Sequence, residues 1–146
     1  MSKAVRAIVM TKDNLLVMYR DKQGSRYFTL VGGGVHDNET PEEALVREVQ
    51  EETGLRVTRK ELVYIEDHVK PFTSQMIYLC EVETYQAVGL EEYSEEAMLN
   101  KLGMNIHKPM WVSITGFKNL AFRTPALQNA IVKAMKSGFP SIPEHI

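Results

Sequence analysis

Apolar residues run almost unbroken through Ala4–Met10 and again through Leu15–Tyr19. The polar trio Lys12-Asp13-Asn14 between them is a turn signal, so the pattern predicts two strands paired as a hairpin. Asp21–Arg26 is polar, contains Gly24 and reads as a loop. Tyr27–Val31 reads as a short strand running into Gly32-Gly33-Gly34. A helix is expected from about Pro41 to Thr53. Two strands follow, Leu62–Val69 and Gln75–Thr84, separated near Lys70-Pro71-Phe72, and Met110–Ile114 reads as another short strand. From Pro125 to Lys136, Leu127, Ala130, Ile131, Ala134 and Met135 recur at the i, i+3, i+4, i+7, i+8 spacing of an amphipathic helix. Gly89–Asn105 has no clear period and is open between a long loop and a short helix. Phe139–Ile146 reads as a tail. Strands and helices in this order suggest an α/β (α+β) fold, a mixed sheet with helices against its faces. The expected organisation is one domain over residues 1–138 with a tail at 139–146.

Composition narrows the class of molecule. A chain of 146 residues suits one domain at about 100–200 residues each. It buries roughly two-thirds of its unfolded surface without help from a disulfide or structural metal. The 17 basic and 19 acidic residues leave a formal charge of −2, which argues against a binder of nucleic-acid polymers. No apolar run approaches membrane-spanning length and the N-terminus shows no signal-peptide pattern, so no membrane is expected as a partner. The single cysteine, Cys80, stands in an apolar stretch and reads as a small core residue in a reducing cytoplasm.

The chemistry concentrates in Gly32–Leu55. Thr40 is an N-cap residue, Pro41 suits the first helical position, Glu43 completes a capping box, and Gly54 suits the left-handed position past the C-terminus. Glu48, Glu51 and Glu52 then share one face of a well-bounded helix, with Leu45 and Val49 on a neighbouring stripe as core anchors. Like charges at this spacing repel, and the negative end of the helix dipole disfavours them further. Arg47 alone cannot neutralise three carboxylates. A hard divalent cation can, and oxygen ligands select Mg²⁺ or Mn²⁺. A solvated acidic helix face is the alternative that helix physics leaves open.

Spacing adds what the helix cannot. Gly33, then Glu39, then Arg47-Glu48-Val49-Gln50-Glu51-Glu52-Thr53-Gly54-Leu55 matches G-x5-E-x7-R-E-U-x-E-E-x-G-U at every fixed position, where U is a bulky apolar residue. Chance agreement is far below roughly one in a million at ordinary residue frequencies. The segment resembles the Nudix hydrolase family. The layout around it is similar to the family too: a strand ending in Arg20, Tyr27–Leu30 before the glycines, Trp111-Val112 on a late strand, and a C-terminal helix. The chain departs from the common pattern at Val31, where many members have Pro, and at His36, where many have Glu.

The resemblance implies an α/β/α sandwich around a mixed sheet. It also implies metal-dependent cleavage of a phosphoanhydride, usually in a nucleoside diphosphate linked to another moiety, with water attacking phosphorus. On that basis Glu48, Glu51 and Glu52 and the Gly32 carbonyl match metal-ligand positions, Arg47 matches the arginine that orients a glutamate, and Glu39 matches a structural glutamate. The general base is Glu48 or Glu52, or an acid from the later cluster Glu91, Glu92, Glu95 and Glu96, of which Glu95 and Glu96 are preferred because they are free of metal duty. Arg20 and Arg26 are the candidates for substrate phosphates. Phe28, Tyr78 and Trp111 are base-stacking candidates, with burial in the core as the alternative. Pro71 stands where members resembling ADP-ribose hydrolases carry a proline, though any hairpin turn can carry one. The expected partner is a small nucleotide derivative, and a homodimer is allowed. A non-catalytic binding module on the same fold is the competing reading. Degenerate modules lose a box glutamate, and this chain keeps them all.

Overall fold

The computed structural model describes residues 2–91, 94–103 and 105–146, and of Glu95 the backbone alone. The strands are β1 Lys3–Val9, β2 Asn14–Lys22, β3 Ser25–Thr29, β4 Val31–Gly34, β5 Val57–Asp67, β6 Ser74–Val82, β7 Asn105–Ser113 and β8 Glu144–His145. The helices are α1 Pro41–Thr53, α2 Glu95–Lys101, α3 Ile114–Phe117 and α4 Pro125–Ser137. The expected mixed sheet is present, and a second sheet accompanies it. One sheet has the order β4-β1-β6-β5-β8 and the other β3-β2-β7. In the first, β1 runs parallel to β6 and β8 parallel to β5, while β4 and the β5–β6 pair are antiparallel.

The β1–β2 hairpin does not form. The two strands share a single bridge, Met10↔Leu15, and lie in different sheets. β1 over most of its length and β2 over Leu15–Met18 are buried along both faces, and a strand so buried meets its hydrogen-bonding needs only between two neighbours. β1 therefore inserts between β4 and β6, and β2 between β3 and β7. The Lys12-Asp13 turn carries the chain from one sheet to the other, its backbone held by Thr11 Oγ1, which accepts from Asn14 N at 3.0 Å. The expected loop at Asp21–Arg26 is instead the closed end of a β2–β3 hairpin. Gln23 and Gly24 have φ of 53° and 89°, the paired left-handed geometry of a two-residue turn that matches strand twist. The late strand is also longer than its apolar stretch, because β7 pairs with β2 from Asn105 to Ser113. Residues 144–145 of the expected tail add to the edge of the first sheet.

Alternation along the strands feeds two cores. Val5, Ala7, Val9, Leu16 and Met18 pack with Ala44, Leu45 and Val49 of α1. Ile8, Leu15, Val17 and Ile77 pack with Leu127 and Ile131 of α4. The sheets thus sit between α1 and α4. Cys80 is buried in the first core. Among the described residues no helix is long and apolar enough to cross a membrane.

Candidate active site

Helix α1 has the boundaries its capping signals dictate. Thr40 accepts from Glu43 N, Glu43 returns the bond to Thr40 N, and Gly54 closes the helix at φ 78°. Leu45 and Val49 seat one stripe in the core. That seating turns Glu48 and Glu52 inward, where they are only 6% and 3% exposed. Glu52 Oε1 accepts from Gly32 N at 2.6 Å. Glu48 packs against the glycine turn so closely that a Cβ on Gly33 would lie 2.5 Å from its Oε1. The glycines let the backbone approach β1 and a carboxylate.

Arg47 organises the entrance. It donates to both oxygens of Glu39, at 3.1 and 2.7 Å, to Gly34 O at 3.1 Å, to Glu48 Oε1 at 3.0 Å and to Glu51 Oε2 at 3.2 Å. Glu39 also accepts from His36 N. The Arg47 guanidinium holds the Glu39 carboxyl down to about 2. Glu39 thus ties the start of the loop at His36 to Arg47 on the helix, while the exposed His36 side chain lies 3.7 Å from it.

The third inward carboxylate comes from α2. Ser94 caps this short helix by accepting from Ala97 N, which settles the open region as a helix over 95–101. Glu48, Glu52 and Glu96 each offer an oxygen, and these lie within 4.8 Å of one another. Glu51 is not in that group, since it faces Arg47 at the half-exposed edge. Glu91 is exposed. Glu92 and the side chain of Glu95 lie outside the described residues. Burial pushes the Glu48 carboxyl up to about 7 against the pull of Arg47. Burial, and then Glu48, push Glu52 well above the usual carboxylate range. The Glu48 Oε2 atom is buried with no hydrogen-bond partner among the described residues. An orphaned oxygen between two buried acids and a third, half-buried one is what a hard divalent cation satisfies, so the donor set fits Mg²⁺ or Mn²⁺.

The cluster opens onto a cleft of about 870 Å³. Arg6, Arg20, Lys22, Lys70 and Arg123 contribute to its walls, so a cationic trough leads to an acidic end. Arg20 lines it, held by Asn105 Oδ1 at 3.0 Å and by the Tyr27 ring 5.7 Å away. Arg26 is not in the cleft and pairs with Asp21 on the hairpin at 3.4 Å. The stacking candidates lie elsewhere too. Tyr78 is buried in the first core and bonds Glu42, Trp111 donates to Gln86 O, and Phe28 packs on Tyr19. Tyr27, Phe72 and Phe122 supply the aromatic wall instead, and Pro71 also lies on it. Arg6, Gln75 and His107 escaped the sequence reading. A lone arginine inside an apolar strand was the one signal available.

His107 yields a pH prediction. Its Nδ1 meets Asn105 O at 3.0 Å, which fixes the proton there and leaves Nε2 as an acceptor. Burial, then the charge of Arg20, hold its pKa down to about 4. The unfolded imidazole titrates near 6.5. Stability from the neutral ring is therefore full above about 6.5 and is lost as the pH falls toward 4, by roughly 3 kcal/mol. Replacing His107 with Gln should flatten this limb of the stability–pH curve. A variant with the wild-type acid slope between 6.5 and 4 refutes the assignment.

Comparison with known proteins gives the same class. The family model described as NUDIX domain matches residues 1–131, and the chain belongs to the Nudix hydrolase family. It is similar to the RNA pyrophosphohydrolase of Histophilus somni (strain 2336), with 34% identity over 61 residues, 42% of this chain and 32% of that protein. It is similar to the 8-oxo-dGTP diphosphatase of Proteus vulgaris, with 54% identity over 33 residues, 23% and 30% of the two chains. The chain thus spans about a third of the length of these curated relatives. Among solved structures, an ADP-ribose pyrophosphatase from Streptococcus suis aligns with TM-score 0.68 at 19% identity, covering 99% of this chain and 98% of that one. The E. coli ORF135 protein aligns with TM-score 0.68 at 20% identity, covering 97% and 95%. At these identities the structural likeness speaks for the fold.

Proposed function

We propose that the protein is a Mg²⁺- or Mn²⁺-dependent hydrolase that cleaves the phosphoanhydride bond of a nucleoside diphosphate linked to another moiety. The observation that carries this reading is the cluster of buried Glu48 and Glu52 with half-buried Glu96 at the acidic end of a cationic cleft. Three carboxylates so placed repel one another in a medium that penalises their charge, and a cation removes the penalty. Glu48 and Glu52 from α1, with the Gly32 carbonyl, would hold the metal, and Glu51 stands at the rim as a further ligand position. When bound, the metal screens the pyrophosphate, activates water and stabilises the leaving phosphate. Arg47 fixes the Glu48 rotamer through a charge-assisted hydrogen bond. Arg20 binds a substrate phosphate. Glu96, carried by a separate short helix and close to Glu48 and Glu52, is assigned as the acid that accepts the proton of the attacking water, which requires a carboxylate within reach of the reacting atoms.

A substrate panel tests this. Nucleoside triphosphates, ADP-ribose, dinucleoside polyphosphates, nucleotide sugars and 5′-triphosphorylated RNA are incubated with Mg²⁺ or Mn²⁺ and scored for phosphate or pyrophosphate release. At least one should turn over, stop with a chelator and resume with added metal. Undiminished turnover in excess chelator, or no turnover of any class, overturns the proposal.

A further inference from the structure

Arg6 is an anomaly in its strand. Ala4, Val5, Ala7, Ile8 and Val9 around it are all 0% exposed, yet the arginine reaches the cleft. Its guanidinium is gripped from behind. Nε donates to Gln75 Oε1 at 3.2 Å and Nη1 donates to Leu30 O at 3.3 Å. Among the described residues it forms no salt bridge. Glu52 and Glu48 act on it only through space, and Arg20 repels it.

The grip has a fixed polarity. Glu66 is buried at 7% exposure and takes donors on both carboxyl oxygens. Gln75 Nε2 reaches its Oε1 at 2.9 Å, and Thr124 Oγ1 reaches Oε1 at 2.8 Å and Oε2 at 2.6 Å. With its amide nitrogen committed to Glu66, Gln75 can present only its carbonyl to Arg6. Thr124 is anchored in turn, since its hydroxyl accepts from Leu127 N at the start of α4. A guanidinium has five N–H groups and two of these are used, so three remain for a ligand on a residue that lines the cleft. Arg6 also stands directly across the β1–β4 ladder from Gly32, the residue whose N–H holds Glu52. The free edge therefore lies beside the acidic cluster, with a second guanidinium, Arg20, in the same cleft.

We propose that Arg6 is a substrate-binding residue that grips a phosphate next to the carboxylate cluster, with Arg20 contributing from the opposite sheet. Gln75 and Glu66 are the positioning residues that aim it. The inference rests on the hydrolase reading above and assigns the substrate two guanidinium contacts, which suits the adjacent charges of a diphosphate. Planar N–H pairs match phosphate oxygens, and orienting them in advance removes an ordering cost on binding. The competing role is that of a counter-ion for Glu48 and Glu52.

Two titrations separate the roles, one with Mn²⁺ alone and one with methylenediphosphonate, a non-hydrolysable diphosphate, at saturating Mn²⁺. Arg6→Gln should weaken the diphosphonate by roughly tenfold or more while Mn²⁺ binds as well as before or better. Arg6→Lys keeps the charge without the fork and should recover only part of the loss. Glu66→Gln changes a residue that does not line the cleft, and it removes the reason for the Gln75 amide to face one way. It should weaken the diphosphonate by roughly threefold or more and raise KM more than it lowers kcat. Should Arg6→Gln fail to fold, Arg6→Lys and Glu66→Gln decide. Wild-type diphosphonate affinity in Arg6→Lys overturns the proposal, as does tighter Mn²⁺ with unchanged diphosphonate binding in Arg6→Gln. If the wild-type protein with Mn²⁺ binds no diphosphonate and hydrolyses nothing in the panel, the hydrolase reading itself has failed and the Arg6 assignment falls with it.

Discussion

Glu52→Gln is expected to lower kcat/KM on the best substrate by roughly a hundredfold or more, about 2.7 kcal/mol of transition-state stabilisation. The substitution keeps the side chain's length and its acceptor for Gly32 N, the bond that now measures 2.6 Å. What it removes is one of the negative charges available to a cation in the cluster. The fold should not suffer. Burial and the neighbouring Glu48 both disfavour a charge on Glu52, so in chelator the variant should unfold at or above the wild-type temperature. Loss of activity therefore comes with retained stability, a combination that a purely structural residue does not produce. A variant with wild-type turnover, or one that simply unfolds, contradicts the assignment.

Gly32→Ala should be among the most damaging small substitutions in the chain. A Cβ at this position would lie 1.9 Å from Val5 O and 2.9 Å from Val5 C, and the backbone φ is 147°. Both obstacles are backbone, so no rotamer change relieves them. Overpacking and an unfavourable backbone conformation together should cost about 3 kcal/mol or more. Gly54→Ala is the control. Its φ of 78° is also left-handed, but no atom lies within 4 Å of the added carbon, so only the backbone term of about 1 kcal/mol remains. Urea unfolding of the two variants should separate them clearly. Equal midpoints would mean that the β1–β4 contact is not tight.

Local signals were readable and long-range pairing was not. The α1 boundaries follow from Thr40, Pro41, Glu43 and Gly54, whose effects act within one turn, and the inward face of Glu48 and Glu52 follows from helix geometry. The partition into two sheets does not. β1 joins β6 about seventy residues away, with Ala4 opposite Gln75, and nothing within either strand names its partner. The same distance hid the Arg6–Gln75–Glu66 grip, whose members lie on three strands. Glu96 was within the candidate acids, but the run Glu91–Glu96 alone cannot tell which side chain turns inward. Arg26 was misplaced because a polar stretch with a glycine looks alike as an open loop and as a tight hairpin, and only the hairpin draws it to Asp21.

The wide separation of β1 from β6 also bears on the order of assembly. The glycine turn of β4 that meets Glu48 and Glu52 lies about twenty residues from them, whereas β1, its ladder partner, is itself fixed by pairing with a strand about seventy residues away. Loop-closure entropy makes such meetings the slow part of folding. Until β1 is in place the cover over Glu48 and Glu52 is incomplete, and their full desolvation is expected to come with that step. Variants that neutralise these carboxylates should then act mainly on the final, compacting stage of folding, and a cation present during refolding should favour that same stage.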